Sequence, residues 1–224
     1  MDWQAFLLTI RLAVLVTAIL LVFGLPIACW ITYSRRRWKF LVEAVVGMPL
    51  VLPPTVLGFY ILLALGSRSP VGRWWESLTG HTLAFTFTAL VIGSVIYSLP
   101  FTVQPLAAAF STVDRKFLAA SATLGASRLR TFFRVVLPLS VSGLLTAVAL
   151  TFAHTMGEFG VVLMVGGNIP GVTRTVSIDI YDQVQATNYA AANQTALVLL
   201  AISFVALSLV YALSRKVWAI WPWR

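Results

Sequence analysis

Residues 6–33 of the chain read FLLTIRLAVLVTAILLVFGLPIACWITY and carry a single charged side chain, Arg11. A helix needs about 20 mostly apolar residues to cross the hydrocarbon core of a membrane, which is about 30 Å thick. The run meets that length and ends just before a basic cluster that begins at Arg35. It is longer than the apolar part of a cleaved secretory signal and lacks a basic start. We therefore expect a retained membrane-spanning helix.

The composition of the whole chain agrees with a membrane protein. Of its 224 residues, 59% are hydrophobic and 10% are charged, whereas soluble domains have about 45–50% apolar and about 25% charged residues. Disordered chains have the opposite bias, with few apolar residues and many charges. The sequence therefore predicts an all-α integral membrane protein, with residues 1–224 forming a single transmembrane domain.

Four further apolar runs follow the first one. Together they give five predicted transmembrane helices, at about residues 6–33, 40–65, 82–106, 140–165 and 192–213. Two connections, residues 110–139 and residues 166–193, are too long to be simple turns. Loops of that length usually carry function or helices of their own.

Basic residues fall mostly on one side of these spans. Twelve of the sixteen Lys and Arg residues lie there. They are Arg35, Arg36, Arg37, Lys39, Arg115, Lys116, Arg128, Arg130, Arg134, Arg215, Lys216 and Arg224. Only Arg68, Arg73 and Arg174 fall on the other side, and Arg11 lies near the first membrane entry. Because cytoplasmic loops carry an excess of Lys and Arg, we place the N-terminus outside and the C-terminus in the cytoplasm. The net charge of +9 is attributed to this orientation, and no nucleic-acid partner is expected.

The long cytoplasmic connection contains the most specific pattern, STVDRKFLAASATLGASRLRTFFRVVLPLS at residues 111–140. Asp114 suits the start of a short helix, and Gly125 suits the position just past its end, which glycine favours. A second helix is predicted from Ser127 to Val136. Such a pair would form either a rigid projection for a partner protein or an amphipathic segment that rests on membrane lipid.

The spacing of small and apolar residues in this connection resembles the EAA loop of ABC importer permeases. The matching positions are Ala119, Ala120, Ser121, Leu124, Gly125, Ala126, Ser127 and Phe133, followed by Leu137-Pro138. The resemblance implies a type I ABC importer permease fold and a coupling helix that docks on a cytoplasmic ATPase, and we add Arg128 and Arg130 as predicted polar contacts. The family pattern opens with a glutamate, and this chain has Ala119 in its place. No ion pair with the ATPase is therefore implied at that position.

Two other segments indicate which group of ABC importer permeases the chain resembles. GMPLVLPPTVLG at residues 47–58 looks like the second span of molybdate permeases. MGEFG at residues 156–160, followed by GGNIPG at residues 166–171, is similar to permeases for molybdate, tungstate and sulfate. Five spans favour molybdate over sulfate, and tungstate remains open. By this resemblance the chain would form a homodimer in the bacterial inner membrane, with two ABC ATPases in the cytoplasm and one periplasmic oxyanion-binding protein.

Six residues are candidates for the pathway or its gate. They are Pro53, Pro54, Thr55, His154, Glu158 and Asn168. Prolines free backbone carbonyls, which a membrane tolerates only where protein or a water-filled cavity covers them. Pro53 and Pro54, with nearby Pro49, therefore indicate either a pathway-lining bend or a packing kink. Glu158 is the only acid deep in a span and would repel an anion, so we expect it to pair with His154, four residues earlier, and to hold the fourth span against its neighbours.

Two other classes of protein remain as alternatives. An intramembrane enzyme would need paired catalytic groups at membrane depth, yet His81 and His154 lie on different spans. A proton-coupled secondary carrier could use Glu158 as its coupling site. The sequence contains no G-x-x-x-x-G-K-[ST] motif, so ATP and Mg²⁺ would bind to a partner ATPase. We expect no cofactor or metal on this chain, which would be a transport subunit without enzymatic activity.

Overall fold

The computed structural model describes residues 2–220 of the chain, and side chains over residues 2–212. Every regular element in this range is helical. The helices are α1 (Trp3–Tyr33), α2 (Lys39–Val51), α3 (Pro54–Leu65), α4 (Pro70–Thr79), α5 (Phe87–Ser111), α6 (Arg115–Thr123), α7 (Arg128–Thr131), a π-helical turn (Phe132–Val136), α8 (Leu137–Leu139), α9 (Val141–Gly157), α10 (Gly160–Gly166), α11 (Val176–Gln185) and α12 (Tyr189–Ile220).

Three helices form the centre of the bundle, since α1, α5 and α9 all contact one another. The first begins at Asp2, whose carboxylate accepts hydrogen bonds from the backbone N–H groups of Gln4 and Ala5 at 2.9 and 3.1 Å. Along α1, the buried side chains of Leu12, Val16 and other residues enter one apolar core with residues of α5 and α10. This core positions the segments that carry the candidate site residues.

Five membrane spans are consistent with this architecture. α1, α5 and the described part of α12 are each long and apolar enough to cross a membrane. Two bent helix pairs bring the number to five if each pair counts as one span. The structure is therefore that of an all-α membrane protein, while the predicted inside and outside ends stay a prediction from the charge distribution.

The predicted second span, residues 40–65, consists of two helices. α2 and α3 are bent by 112° relative to each other, at a break formed by Leu52 and Pro53. Pro54 is the first residue of α3, where the missing N–H costs little because it would have no helical partner. Pro49 lies inside α2. The prolines thus produce a sharp break in this span.

The predicted fourth span, residues 140–165, is also divided. α9 ends at Gly157, and α10 begins at Gly160. Glu158, between them, has extended backbone angles of φ −65° and ψ 132°. A further bend of 76° separates residues Arg128–Leu139 from α9. The fourth span therefore consists of a long helix, a short break and a second, short helix.

Candidate functional site

The predicted cytoplasmic loop, residues 110–139, forms two short helices joined at Gly125, as the sequence predicts. Asp114 accepts a hydrogen bond from the backbone N–H of Lys116 at 2.8 Å and caps α6. Ser127 accepts one from the N–H of Arg130 at 3.3 Å and caps α7. Gly125 has φ +72°, a left-handed conformation in which any residue with a Cβ is strained. The turn between the two helices therefore depends on this glycine.

Contacts on the inner side of this pair fix it to the bundle. The hydroxyls of Ser121 on α6 and Thr131 on α7 are hydrogen-bonded at 2.8 Å. The ring of Phe132 packs edge-on against that of Phe110 at the end of α5, with centroids 5.7 Å apart. Val136 is buried in the same cluster. Ser121 therefore ties the two helices together and is not part of their outer surface.

Three large apolar side chains of this segment are exposed. Leu124 is 86% exposed, Leu129 69% and Phe133 57%. Ala119 and Ala120 are exposed next to them, and Ala126 is half-buried. Exposed apolar patches of this kind mark surfaces that contact a partner or a membrane. We call Leu124, Leu129 and Phe133 the apolar face of the cytoplasmic loop.

The two broken spans meet close to their breaks. A Cβ built on Gly160 would lie 2.6 Å from the Cβ of Pro54, and a Cβ on Gly58 would lie 2.8 Å from the Cβ of Met164. α3 and α10 can therefore pack side by side only because glycine is present at both positions. The contact brings Pro54 against the Glu158 break, whereas Pro53 and Thr55 are exposed.

The predicted pair between Glu158 and His154 is wrong. α9 ends at Gly157, so Glu158 does not occupy the helical position four residues after His154. Its carboxylate is 4% exposed, and neither oxygen has a hydrogen-bonding partner among the described residues. The Ser94 hydroxyl of α5 lies beside it without hydrogen-bonding geometry.

His154 contacts the neighbouring helix, as expected for a residue that holds the span in place. Its Nδ1 is 2.9 Å from the Oγ of Ser98, and its ring stacks on Phe101 with centroids 3.9 Å apart. The sequence predicts that the Glu158–His154 pair holds the fourth span against its neighbours. In the structure His154 makes such a contact without Glu158, by packing against α5.

A row of hydroxyl groups lies between α5 and α9 and is not among the site residues predicted from the sequence. The Oγ of Ser98 lies 3.2 Å from the Oγ1 of Thr155, and the hydroxyls of Thr102 and Thr151 are 2.6 Å apart. Ser98 and Thr102 are four residues apart, as are Thr151 and Thr155, so each pair lies on one helical face. This repeated spacing of hydroxyl residues in two apolar spans is the signal that could have identified the row.

Asn168 lies in the predicted outer loop, residues 166–193, and joins it to α11. Its Nδ2 donates to the Oδ2 of Asp182 at 2.5 Å, and its Oδ1 accepts from the Nε of Arg174 at 2.7 Å. Arg174 also forms an ion pair with Asp182, with Nη2 and Oδ2 3.3 Å apart. Asp182 belongs to α11, whose first N–H, from Val176, is capped by the Oγ1 of Thr9 at 3.0 Å. Asn168 is thus part of a polar tie between the loop and α11.

Long apolar helices and two broken spans that pack together define a multi-pass membrane protein, and broken spans of this kind are typical of transporters. No cluster of three metal-ligating side chains occurs within the described range. The sequence matches the profile of the family described as "Binding-protein-dependent transport system inner membrane component" over residues 5–219. The chain belongs to this family of ABC importer permeases.

Curated relatives and a solved structure agree with this assignment. The chain is 50% identical over 214 residues to the molybdenum transport system permease protein ModB of Azotobacter vinelandii, covering 96% of this chain and 95% of the relative. It is 36% identical over 184 residues to ModB of Escherichia coli K12, covering 82% and 80%. A chain of the MetNI methionine ABC transporter superposes with a TM-score of 0.77 at 16% identity, covering 96% and 94%. The fold is that of type I ABC importer permeases, as predicted.

Proposed function

We propose that this chain is the permease subunit of an ATP-driven importer for molybdate in the bacterial inner membrane. The observation that carries the proposal is the 50% identity to a molybdenum permease along nearly the whole length of both chains. The family description, which names a binding-protein-dependent system, supports a periplasmic protein that delivers the anion. Tungstate, and less so sulfate, are the alternative substrates because they are tetrahedral oxyanions of the same charge.

The apolar face of the cytoplasmic loop is the proposed docking site for the ATPase. This face consists of the exposed side chains of Leu124, Leu129 and Phe133. The segment that carries it is held against the end of α5 and its neighbours by Phe132 and Val136. Movement of a docked ATPase would therefore be transmitted to α5 and, through the bend at Ser140, to α9. ATP and Mg²⁺ would be bound by that partner.

The junction of α3 and α10 is the proposed pathway region, supported by the break in each span. Helices α3, α5, α9 and α10 contain no Lys or Arg, so a dianion would be bound weakly there, mainly by hydroxyl and backbone N–H groups. Selectivity would then reside in the binding protein. One chain of five spans is too small to enclose a path, and we infer a homodimer with two ATPases.

Uptake by cells tests which anion the importer transports. A strain that lacks its own molybdate importer would receive this chain together with its neighbouring ATPase and binding-protein genes. We expect uptake of radioactive molybdate at nanomolar concentration, competed by unlabelled molybdate but not by a thousandfold excess of sulfate. Uptake competed equally by sulfate would contradict the substrate assignment, and competition by tungstate at a far lower concentration than by molybdate would reassign the substrate to tungstate.

A further inference from the structure

Two neighbouring clefts open at the cytoplasmic end of α1, outside the proposed pathway. One has a volume of about 610 Å³ and the other of about 940 Å³. They share the same wall, formed by Cys29, Tyr33, Ser34, Arg35, Arg128 and Phe132. The wall joins the end of the first span to α7, so both clefts lie where the membrane-spanning part of the chain meets the cytoplasmic loop.

The polar end of these clefts is cationic. Arg35, Lys39, Arg115 and Arg128 line the first cleft, and no Asp or Glu of the described part of the chain lines either one. Arg35, Arg115 and Arg128 have no ion-pair partner among the side chains that the structure describes. Several unpaired cations around one opening favour an anionic ligand, because each gains electrostatic energy from a negative group.

The second cleft continues from this basic end into the apolar part of α1. On the α1 side, Val22, Leu25, Pro26 and Trp30 form its wall, and Leu129 and Phe133 of the apolar face line its other end. Val22 is 66% exposed on the outer surface of the helix. Val22 lies thirteen residues before Arg35, which corresponds to about 20 Å along a helix. A soluble anion gains nothing from such an apolar strip. An ATPase docked on Leu129 and Phe133 would cover only the cytoplasmic end of the cleft and would have to enter the membrane to reach Val22.

We propose that these clefts bind one phospholipid with an anionic headgroup. The phosphate and headgroup lie among Arg35, Arg115 and Arg128, and an acyl chain follows α1 towards Val22. Trp30 and Trp38, whose ring centroids are 5.1 Å apart, flank the site, and tryptophan is enriched at this depth of a membrane. Of Arg128 and Arg130 in the cytoplasmic loop, only Arg128 would contact the lipid, because Arg128 lines both clefts and Arg130 lines neither.

The single cysteine of the chain, Cys29, lines both clefts and serves as a reporter. The full chain, purified in detergent, is treated with N-ethylmaleimide in the presence of phosphatidylglycerol, phosphatidylcholine with the same acyl chains, or glycerol phosphate. Modification of Cys29 is followed by mass spectrometry of the intact chain. We expect phosphatidylglycerol to slow it, and the other two compounds to have little effect at the same concentration.

Two charge variants complete the test. In the double variant Arg35→Gln/Arg128→Gln, the concentration of phosphatidylglycerol that protects Cys29 should rise roughly 25-fold, about fivefold for each basic side chain. The variant Arg68→Gln/Arg73→Gln removes the same charge from the opposite side. In this variant, phosphatidylglycerol should protect Cys29 at the same concentration as in the wild type. Equal protection by phosphatidylcholine would overturn the proposal, and equal protection by glycerol phosphate would indicate a site for soluble anions instead. If the double variant does not fold, the comparison of the three compounds on the wild type still tests whether the clefts bind an anionic phospholipid.

Discussion

Gly160 at the start of α10 lies against Pro54 at the start of α3, so close that a Cβ at position 160 would come within 2.6 Å of the Cβ of Pro54. The two residues begin the second halves of two different broken spans. Their contact therefore places both breaks side by side, and Glu158 lies two residues before Gly160. The first two predictions concern this junction.

Substitution Gly160→Ala should push α3 and α10 apart. Overpacking of this kind typically costs about 1–3 kcal/mol, so we expect a lower melting temperature of the purified chain and reduced molybdate uptake. Gly157→Ala is the matched control, because a Cβ at that position meets no atom within 4 Å. If both variants transport equally well, the close contact of the two breaks is not required for transport.

Substitution Glu158→Gln should leave the stability of the chain nearly unchanged. Neither carboxyl oxygen is hydrogen-bonded among the described residues, so the amide of similar shape loses no hydrogen bond and adds no charge to the buried site. We expect uptake to fall at least about threefold, because unsatisfied buried groups persist where function requires them. Thermal unfolding and uptake are measured on the same preparations. Loss of stability and uptake together would instead assign Glu158 a structural role.

Substitution Gly125→Ala should impair coupling to the ATPase. The left-handed conformation costs a residue with a Cβ about 1–2 kcal/mol, which would shift the orientation of α7 relative to α6. The control is Gly80→Ala, since Gly80 ends α4 with nearly the same φ of +75° and open space around it. We expect only the position 125 variant to reduce the ATPase activity that molybdate and the binding protein stimulate. Gly125→Pro, which cannot adopt a positive φ, should abolish it.

A charge in the apolar face of the cytoplasmic loop should prevent ATPase binding. Leu124→Asp places a carboxylate where 86% of the side chain is exposed, so the fold of the isolated chain should not suffer. Leu78→Asp on α4, where 64% is exposed, is the control. Co-purification with the ATPase should be lost for the first variant alone. Retention of the ATPase by Leu124→Asp would exclude this face as the docking site.

The cytoplasmic loop could be predicted from sequence because its structure follows from local signals. Asp114 and Ser127 start their helices as caps and Gly125 ends the first one, each through contacts within three residues. The proline-rich break at Pro53 and Pro54 was predicted for the same reason. Its angle of 112° depends on what packs against α3 and could not be derived from the prolines themselves.

The surroundings of Glu158 could not be predicted, because they depend on tertiary contacts. The apolar pattern of residues 140–165 resumes directly after Glu158, so the sequence predicts a single helix and an i, i+4 pair with His154. The helix instead ends at Gly157, where α10 must turn to pack against Pro54 and Gly58. Likewise, the partner of His154, Ser98, lies 56 residues away in sequence, a separation at which residue spacing carries no information.

Transport in proteoliposomes tests the central claim most directly. The full chain, co-purified with its ATPase, is reconstituted with the binding protein and radioactive molybdate on one side and ATP with Mg²⁺ on the other. We predict uptake that requires both ATP and the binding protein and that continues after an uncoupler has collapsed the proton gradient. Uptake that proceeds without ATP and stops with the uncoupler would contradict the assignment and identify a proton-coupled carrier.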